Sequence, residues 1–100
     1  HGYSQITVNI HGENAEAVAQ RIAANPITRG LQGPTIAPIY GTESHWHTVT
    51  IIISDKNLLQ AVQYLRELGG TQCIVVPVRS IFMEQSPTYA GLLESLSSAD

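Results

Sequence analysis

Ile6, Val8 and Ile10 alternate with Thr7, Asn9 and His11, the two-residue period of a strand with one face buried and one face wet. Gly12 interrupts the run, Asn14 is a good N-cap, and Ala15, Val18, Ala19 and Ile22 recur at helical spacing until Asn25-Pro26 stops them, which predicts a first helix. A turn-rich linker, Ile27 to Pro34, leads to Thr35–Tyr40, where the internal Pro38 removes a backbone donor and so places this short strand at a sheet edge. Gly41-Thr42-Glu43-Ser44 is hairpin material, and Thr48 to Ile53 is dense in β-branched residues, which predicts a pleated and largely buried strand. Asp55 can cap a second helix whose Leu58, Ala61, Val62, Leu65 and Leu68 form one apolar stripe, ending at Gly69-Gly70, glycines suited to a left-handed stop. Cys73 to Val78 reads as a continuous apolar strand, and Ser86-Pro87 opens a short terminal helix carrying Tyr89, Leu92, Leu93 and Leu96.

The predicted order is βαββαβ plus a terminal helix. Right-handed crossovers fold such an order into an antiparallel sheet with two helices on one face, an α+β, ferredoxin-like sandwich with an added C-terminal helix. No repeat is visible beyond the two-fold βαβ rhythm. Residues 1–100 are expected to form a single domain, and a chain that starts at His1 rather than Met is expected to be the C-terminal part of a longer protein.

Composition changes the picture in one respect. Of the 100 residues 43% are hydrophobic and only 13% charged, against roughly 25% charged in a typical soluble domain. So few charges fit a surface partly covered by another subunit or a neighbouring domain. Net charge is −3 and the five basic residues, Arg21, Arg29, Lys56, Arg66 and Arg79, are scattered, which leaves no footprint for a nucleic-acid backbone. No apolar run approaches the roughly 20 residues needed to cross a bilayer, and no basic segment precedes an apolar one at the N-terminus. A soluble chain without membrane contact is expected. Cys73 is the single cysteine, so no internal disulfide can form and a reducing compartment is the simplest setting.

Several side chains are candidates for chemistry. His45 and His47 sit two positions apart, on one side if the chain there is extended, as two zinc ligands would. A zinc site needs three or four ligands, and the further candidates, His11, Glu43 and His1, lie on segments the sequence does not bring together. A hairpin shoulder anchored by Trp46 accounts for the same residues. Cys73 would need a base to become a thiolate nucleophile; a packed strand cysteine needs none. Ser44 with Glu43 and either histidine has the residue types of a hydrolytic triad, but neighbours along one hairpin cannot align all three groups. Glu13 and Glu16 open the first helix, where the helix dipole favours negative charge in any case. No catalytic residue and no metal site are therefore assigned. Gly30-Leu31-Gln32-Gly33-Pro34-Thr35 differs, because two glycines three positions apart, closed by a proline, permit tight turns that expose backbone amides to an anion. It is not a Walker loop, which carries a lysine after its last glycine. On pattern alone an ordinary helix-to-strand connection explains it as well.

The stretch Gly30 to Tyr40, GLQGPTIAPIY, resembles the segment that opens the C-terminal regulatory domain of long-form ATP phosphoribosyltransferase, with a Gly-Leu-x-x-Pro-Thr-Ile-x-Pro core. Trp46, the strand Thr48 to Ile53, the segment Leu65-Arg66-Glu67-Leu68-Gly69-Gly70 and the strand Ile74-Val75-Val76-Pro77-Val78 extend the likeness over nearly the whole chain. The first βα unit and the tail from Ile81-Phe82 to Leu96 look most like plant-like variants of that family. The resemblance implies a ferredoxin-like fold akin to PII signalling proteins that binds L-histidine at an interface between regulatory domains. It also implies self-association, as a trimer or part of a hexamer, and inhibition of catalytic domains absent from this sequence. No cofactor is implied for this domain; magnesium, ATP and PRPP belong to those catalytic domains. Position by position, the implied ligand contacts fall on Leu31, Gly33 and Thr35, with Ile52 and Gln72 beside them. Backbone amides and the Thr35 hydroxyl would hold the ligand's polar groups, and Leu31 and Ile52 would pack on its imidazole. An acidic residue that the family offers to the ligand's ammonium has no counterpart: Gly12 stands about there, with Glu13 adjacent. The implied location is cytoplasmic, or the plastid stroma for a plant protein. The alternative is a free-standing PII-like trimer that binds another small metabolite.

Overall fold

The computed structural model describes residues 2–41 and 45–81. Strand β1 (Tyr3–His11) is followed by helix α1 (Ala15–Ala23), a 3₁₀ turn (Pro26–Arg29), strands β2 (Thr35–Pro38) and β3 (Trp46–Ser54), a second 3₁₀ turn (Asp55–Asn57), helix α2 (Leu58–Glu67) and strand β4 (Thr71–Val78). The strands form one sheet in the order β2-β3-β1-β4, and every neighbouring pair is antiparallel. This is the predicted α+β, ferredoxin-like layout, with β2 at an edge as Pro38 requires. The predicted terminal helix lies outside the described residues.

Alternation decides which face is covered. On β1, Ser4, Ile6, Val8 and Ile10 are buried, and on β3, His47, Val49, Ile51 and Ile53. Val18 and Ile22 of α1 and Ala61 and Leu65 of α2 close the core over them. The opposite face of the sheet, bearing Gln5, Thr7 and Asn9 on β1 and Thr48, Thr50 and Ile52 on β3, has no helix over it among the described residues and is half-buried. The dense β-branched run at Thr48–Ile53 predicts a largely buried strand; its odd-numbered residues are buried, and the threonines mark the uncovered face.

The helix ends follow from their caps. Asn14 Oδ1 accepts from the Ala17 amide at 2.8 Å, as an N-cap should. After α1, Asn25 Oδ1 accepts from the Ile27 amide at 3.0 Å, and the fully buried Thr28 hydroxyl donates to the Ile22 carbonyl at 2.6 Å. The linker read as turn-rich therefore begins as a 3₁₀ turn stitched into the core. Helix α2 ends in a Schellman motif: the Gly69 amide donates to Arg66 and the Gly70 amide to Leu65, with Gly69 at φ +90°.

Two expectations are corrected. Asp55 does not cap α2, whose N-cap position, Asn57, makes no side-chain cap bond; its carboxylate instead accepts from the Ser4 hydroxyl at 2.6 Å, tying β1 to the end of β3. Strand β4 is not buried. Ile74, Val75 and Val76 are 57%, 41% and 49% exposed, because the helices cover β1 and β3 and leave this edge strand open on both faces.

Arg21 joins three elements. Its guanidinium donates to the His11 carbonyl at 3.0 Å and to the Leu68 carbonyl at 2.7 Å, while Tyr64 donates its hydroxyl proton to the Arg21 carbonyl at 2.6 Å. The Leu68 carbonyl lies at the C-terminus of α2, where carbonyls lack helical partners and cations are favoured. Arg21→Met, which keeps the stem and removes both donors, is expected to lower stability by about 1–3 kcal/mol, measured by urea unfolding. Arg21→Lys should recover only part of that loss, since one ammonium lacks the planar fork that reaches two carbonyls.

Candidate functional site

Gly30 and Gly33 carry positive φ, +72° and +90°. Gly30 also lies against β3: an added Cβ would stand 2.7 Å from Ile51 Cγ2 and 3.1 Å from the Ile52 carbonyl oxygen. The loop thus runs along the edge of β3 at Ile51–Ile52 before β2 takes that edge, Thr35 pairing with Thr50. Thr35 shares the uncovered sheet face with Thr50 and Ile52, and Leu31, 41% exposed, projects from the loop. Of the five residues singled out from the sequence, Leu31, Gly33, Thr35 and Ile52 therefore lie around one sheet corner.

Gln72 lies elsewhere. Ile52 pairs with Gln5, whereas Gln72 stands beside Asn9 on the far side of β1. Four residues along a strand and two strands across separate them by roughly 16 Å. Gln72 occupies a bulge: Thr7 pairs with Ile74 and Asn9 with Thr71, so β4 carries one residue more than β1 over that interval. Its φ is +52°. The Asn9 amide nitrogen donates to Gln72 Oε1 at 3.3 Å, and the Thr48 hydroxyl donates to Asn9 Oδ1 at 2.9 Å. Asn9 and Thr48 were not singled out in the sequence, although their place on the wet side of the alternation was the available signal.

The two-histidine metal pairing is not formed. His45 is exposed, precedes β3 and has φ +73°, whereas His47 points into the core and is 6% exposed, its Nδ1 without a hydrogen-bond partner among the described residues. The left-handed turn at His45 breaks the extended run that would have put both rings on one side. His45 approaches His11 instead, ring centres 6.0 Å apart, and its Nδ1 lies 3.1 Å from the Glu13 carbonyl oxygen. Trp46 packs edge-on against His11 at 5.4 Å, the anchored shoulder expected for this hairpin. Among the described residues no three His, Cys, Asp or Glu side chains converge as metal ligands would. Glu43, Ser44 and His1 lie outside the described residues.

Cys73 is half-buried against the core cluster. Burial pushes its thiol above the ordinary range, and the Arg66 charge offsets this only in part. It is a neutral packing group at neutral pH rather than a thiolate nucleophile. Gly12, where the resemblance would put an acidic residue, has little room for a side chain. A Cβ there would stand 2.5 Å from Val18 Cγ2, so a side chain at this position would drive into α1.

Comparison with known proteins points to one family. The family model described as "HisG, C-terminal domain" matches residues 1–80. The chain is 37% identical over 100 residues to "ATP phosphoribosyltransferase 2, chloroplastic" of Arabidopsis thaliana, and 35% identical to "ATP phosphoribosyltransferase 1, chloroplastic" of the same plant. Each alignment covers 95% of this chain and 24% of the relative, so the chain spans about a quarter of the length of the proteins it matches. With four fifths of its length matched by that family model, the chain belongs to the HisG C-terminal domain family.

Proposed function

We propose that this chain is the L-histidine-sensing and oligomerisation domain of an ATP phosphoribosyltransferase, and that it transmits feedback inhibition to catalytic domains elsewhere in the same protein. The observation that carries this reading is the corner site. Two left-handed glycines hold Gly30–Thr35 against β3, leaving Leu31, Gly33 and the Thr35 hydroxyl exposed beside Ile52 on a sheet face without a helix. Amide and hydroxyl groups there can bind the effector's polar end, while Leu31 and Ile52 offer apolar contact for its ring.

Gln72, too distant to join that corner within one chain, would meet it from a second copy, which makes the site a property of the assembly. The exposed apolar edge β4 and the low charge content support self-association as a trimer or part of a hexamer. Histidine then inhibits by binding one arrangement of the assembly more tightly than another, a coupling of about 1–3 kcal/mol. The domain itself uses no cofactor in this reading; magnesium, ATP and PRPP are handled by the catalytic domains. The relatives' names place them in the chloroplast, so the plastid stroma is the proposed location for a plant protein and the cytoplasm otherwise.

Calorimetry on the complete protein tests the reading. Saturable L-histidine binding is expected, weakened about tenfold by Thr35→Val, the loss of one hydrogen bond to a charged group. Absence of binding at millimolar L-histidine overturns it.

A further inference from the structure

The sheet face without a helix is polar along β1 and apolar along the margin formed by β4. Residues paired across two strands share a face. Ile74, Val76 and Val78 therefore stand on the uncovered face with Thr7, Gln5 and Tyr3, while Val75 turns to the helix side with Ile6. On the helix side Cys73 is already packed against the core. On the uncovered face Ile74 and Val76 are 57% and 49% exposed and Val78 is half-buried. From Ile74 to Val78 this row runs about 13 Å at the rise of a strand. Aliphatic side chains in line on an open edge strand are a surface that proteins cover.

The sequence carries a segment that fits the row. The described residues end at Ile81, just past β4, and the chain continues through residues 82–100. There Ser86-Pro87 signals a helix start, and Tyr89, Leu92, Leu93 and Leu96 fall on one side of that helix, with Thr88, Gly91, Glu94 and Ser95 on the other. A helix so short is marginal alone in water and depends on burying its apolar side. Its stripe from Tyr89 to Leu96 runs about 11 Å, close to the length of the row. Residues 79–85 suffice to turn the chain back over β4, since connections commonly take about 2–6 residues. Tethering favours this segment over a second copy: joined so near, it meets the row at an effective concentration in the roughly millimolar range.

We propose that Ser86–Leu96 packs as a helix on the uncovered face of β4, setting Tyr89, Leu92, Leu93 and Leu96 against Ile74, Val76 and Val78 of the same chain. The inference stands apart from the histidine-sensing reading. It leaves Val75 and the unpaired backbone edge of β4 for contact with another copy.

A photoreactive benzophenone side chain at position 5 of the complete protein tests this, because Gln5 pairs with Val76 and its replacement leaves the row intact. Illumination is expected to join position 5 to residues 86–96, mapped by mass spectrometry, in a product that keeps the mass of one chain on a denaturing gel. The same group at position 59, where Leu59 is exposed on α2, should not reach that segment. Leu92→Ser combined with Leu93→Ser should abolish the cross-link from position 5. In that variant, and in a chain ended after Ile81, the amides of residues 71–78 should exchange about tenfold faster, the loss of a covering element. A product of two-chain mass would show that a second copy covers the row and overturns the proposal. So does a one-chain product joined to any segment other than 86–96, the absence of a cross-link from position 5, or unchanged exchange in the shortened chain.

Discussion

Gly30→Ala is expected to lower folding stability by about 3 kcal/mol and, with it, to abolish the L-histidine binding proposed for the corner site. Two separate costs meet at this residue. Its backbone, φ +72° and ψ −169°, lies in a region that is essentially glycine's alone and costs other residues of order 1–3 kcal/mol. Beyond that, the new Cβ would press to 2.7 Å from Ile51 Cγ2 and 3.1 Å from the Ile52 carbonyl oxygen, and neither the core methyl nor the strand backbone can yield without disturbing β3. The loop would be driven off the strand and would carry Leu31 and Gly33 away from Ile52. Gly41→Ala separates the two costs. Gly41 has φ +81° but, among the described residues, nothing within 4 Å of an added Cβ, so it should lose only the conformational part, about 1 kcal/mol, and keep its affinity. Urea unfolding and calorimetry on the same samples check both. Equal losses in the two variants would show that contact with β3 is irrelevant.

Leu65→Ala is expected to cost about 3 kcal/mol, within the 2–5 kcal/mol range for truncating a buried leucine. Leu65 is fully buried in the cluster formed by both helices and the two central strands. Its carbonyl also accepts from Gly70 in the motif that ends α2, so the backbone around the cavity is pinned and cannot collapse freely to fill it. Against a total of about 5–15 kcal/mol for a domain, one truncation removes much of the margin. Leu59, six residues back on the same helix and 70% exposed, is the control: Leu59→Ala should stay within about 0.5 kcal/mol.

Strand alternation, the Asn14 cap, the α2 stripe and the Gly69-Gly70 stop were legible in the sequence because each is local: a period or a cap is written in neighbouring residues. What escaped depends on distant partners. Nothing near Asp55 reveals that its carboxylate meets Ser4, 51 positions away. Cys73–Val78 has the composition of a buried strand, and only sheet order shows that it stands at an edge beyond the helices. The corner site was partly legible. The spacing of Gly30 and Gly33 signalled a tight loop, but the gathering of Leu31 and Thr35 near Ile52 needed the β2–β3 register. The bulge that removes Gln72 from that corner has no local mark, since glutamine is not a residue that signals left-handed backbone. Where His45 and His47 point was likewise not legible, since it turns on a single positive φ at His45.

Strand β1 lies at the centre of the sheet, with Tyr3 paired to Ser54 on one side and to Val78 on the other. Both ladders close over long stretches of chain, and closures of that kind slow folding. During synthesis β1 waits for β4 before its second edge is paired. Until β4 has emerged, Ile6 and Val8 sit on a strand with an open edge, the arrangement most prone to pairing with another chain. A nascent or truncated chain that stops short of β4 would therefore be the vulnerable species, and β4 gives β1 its protection.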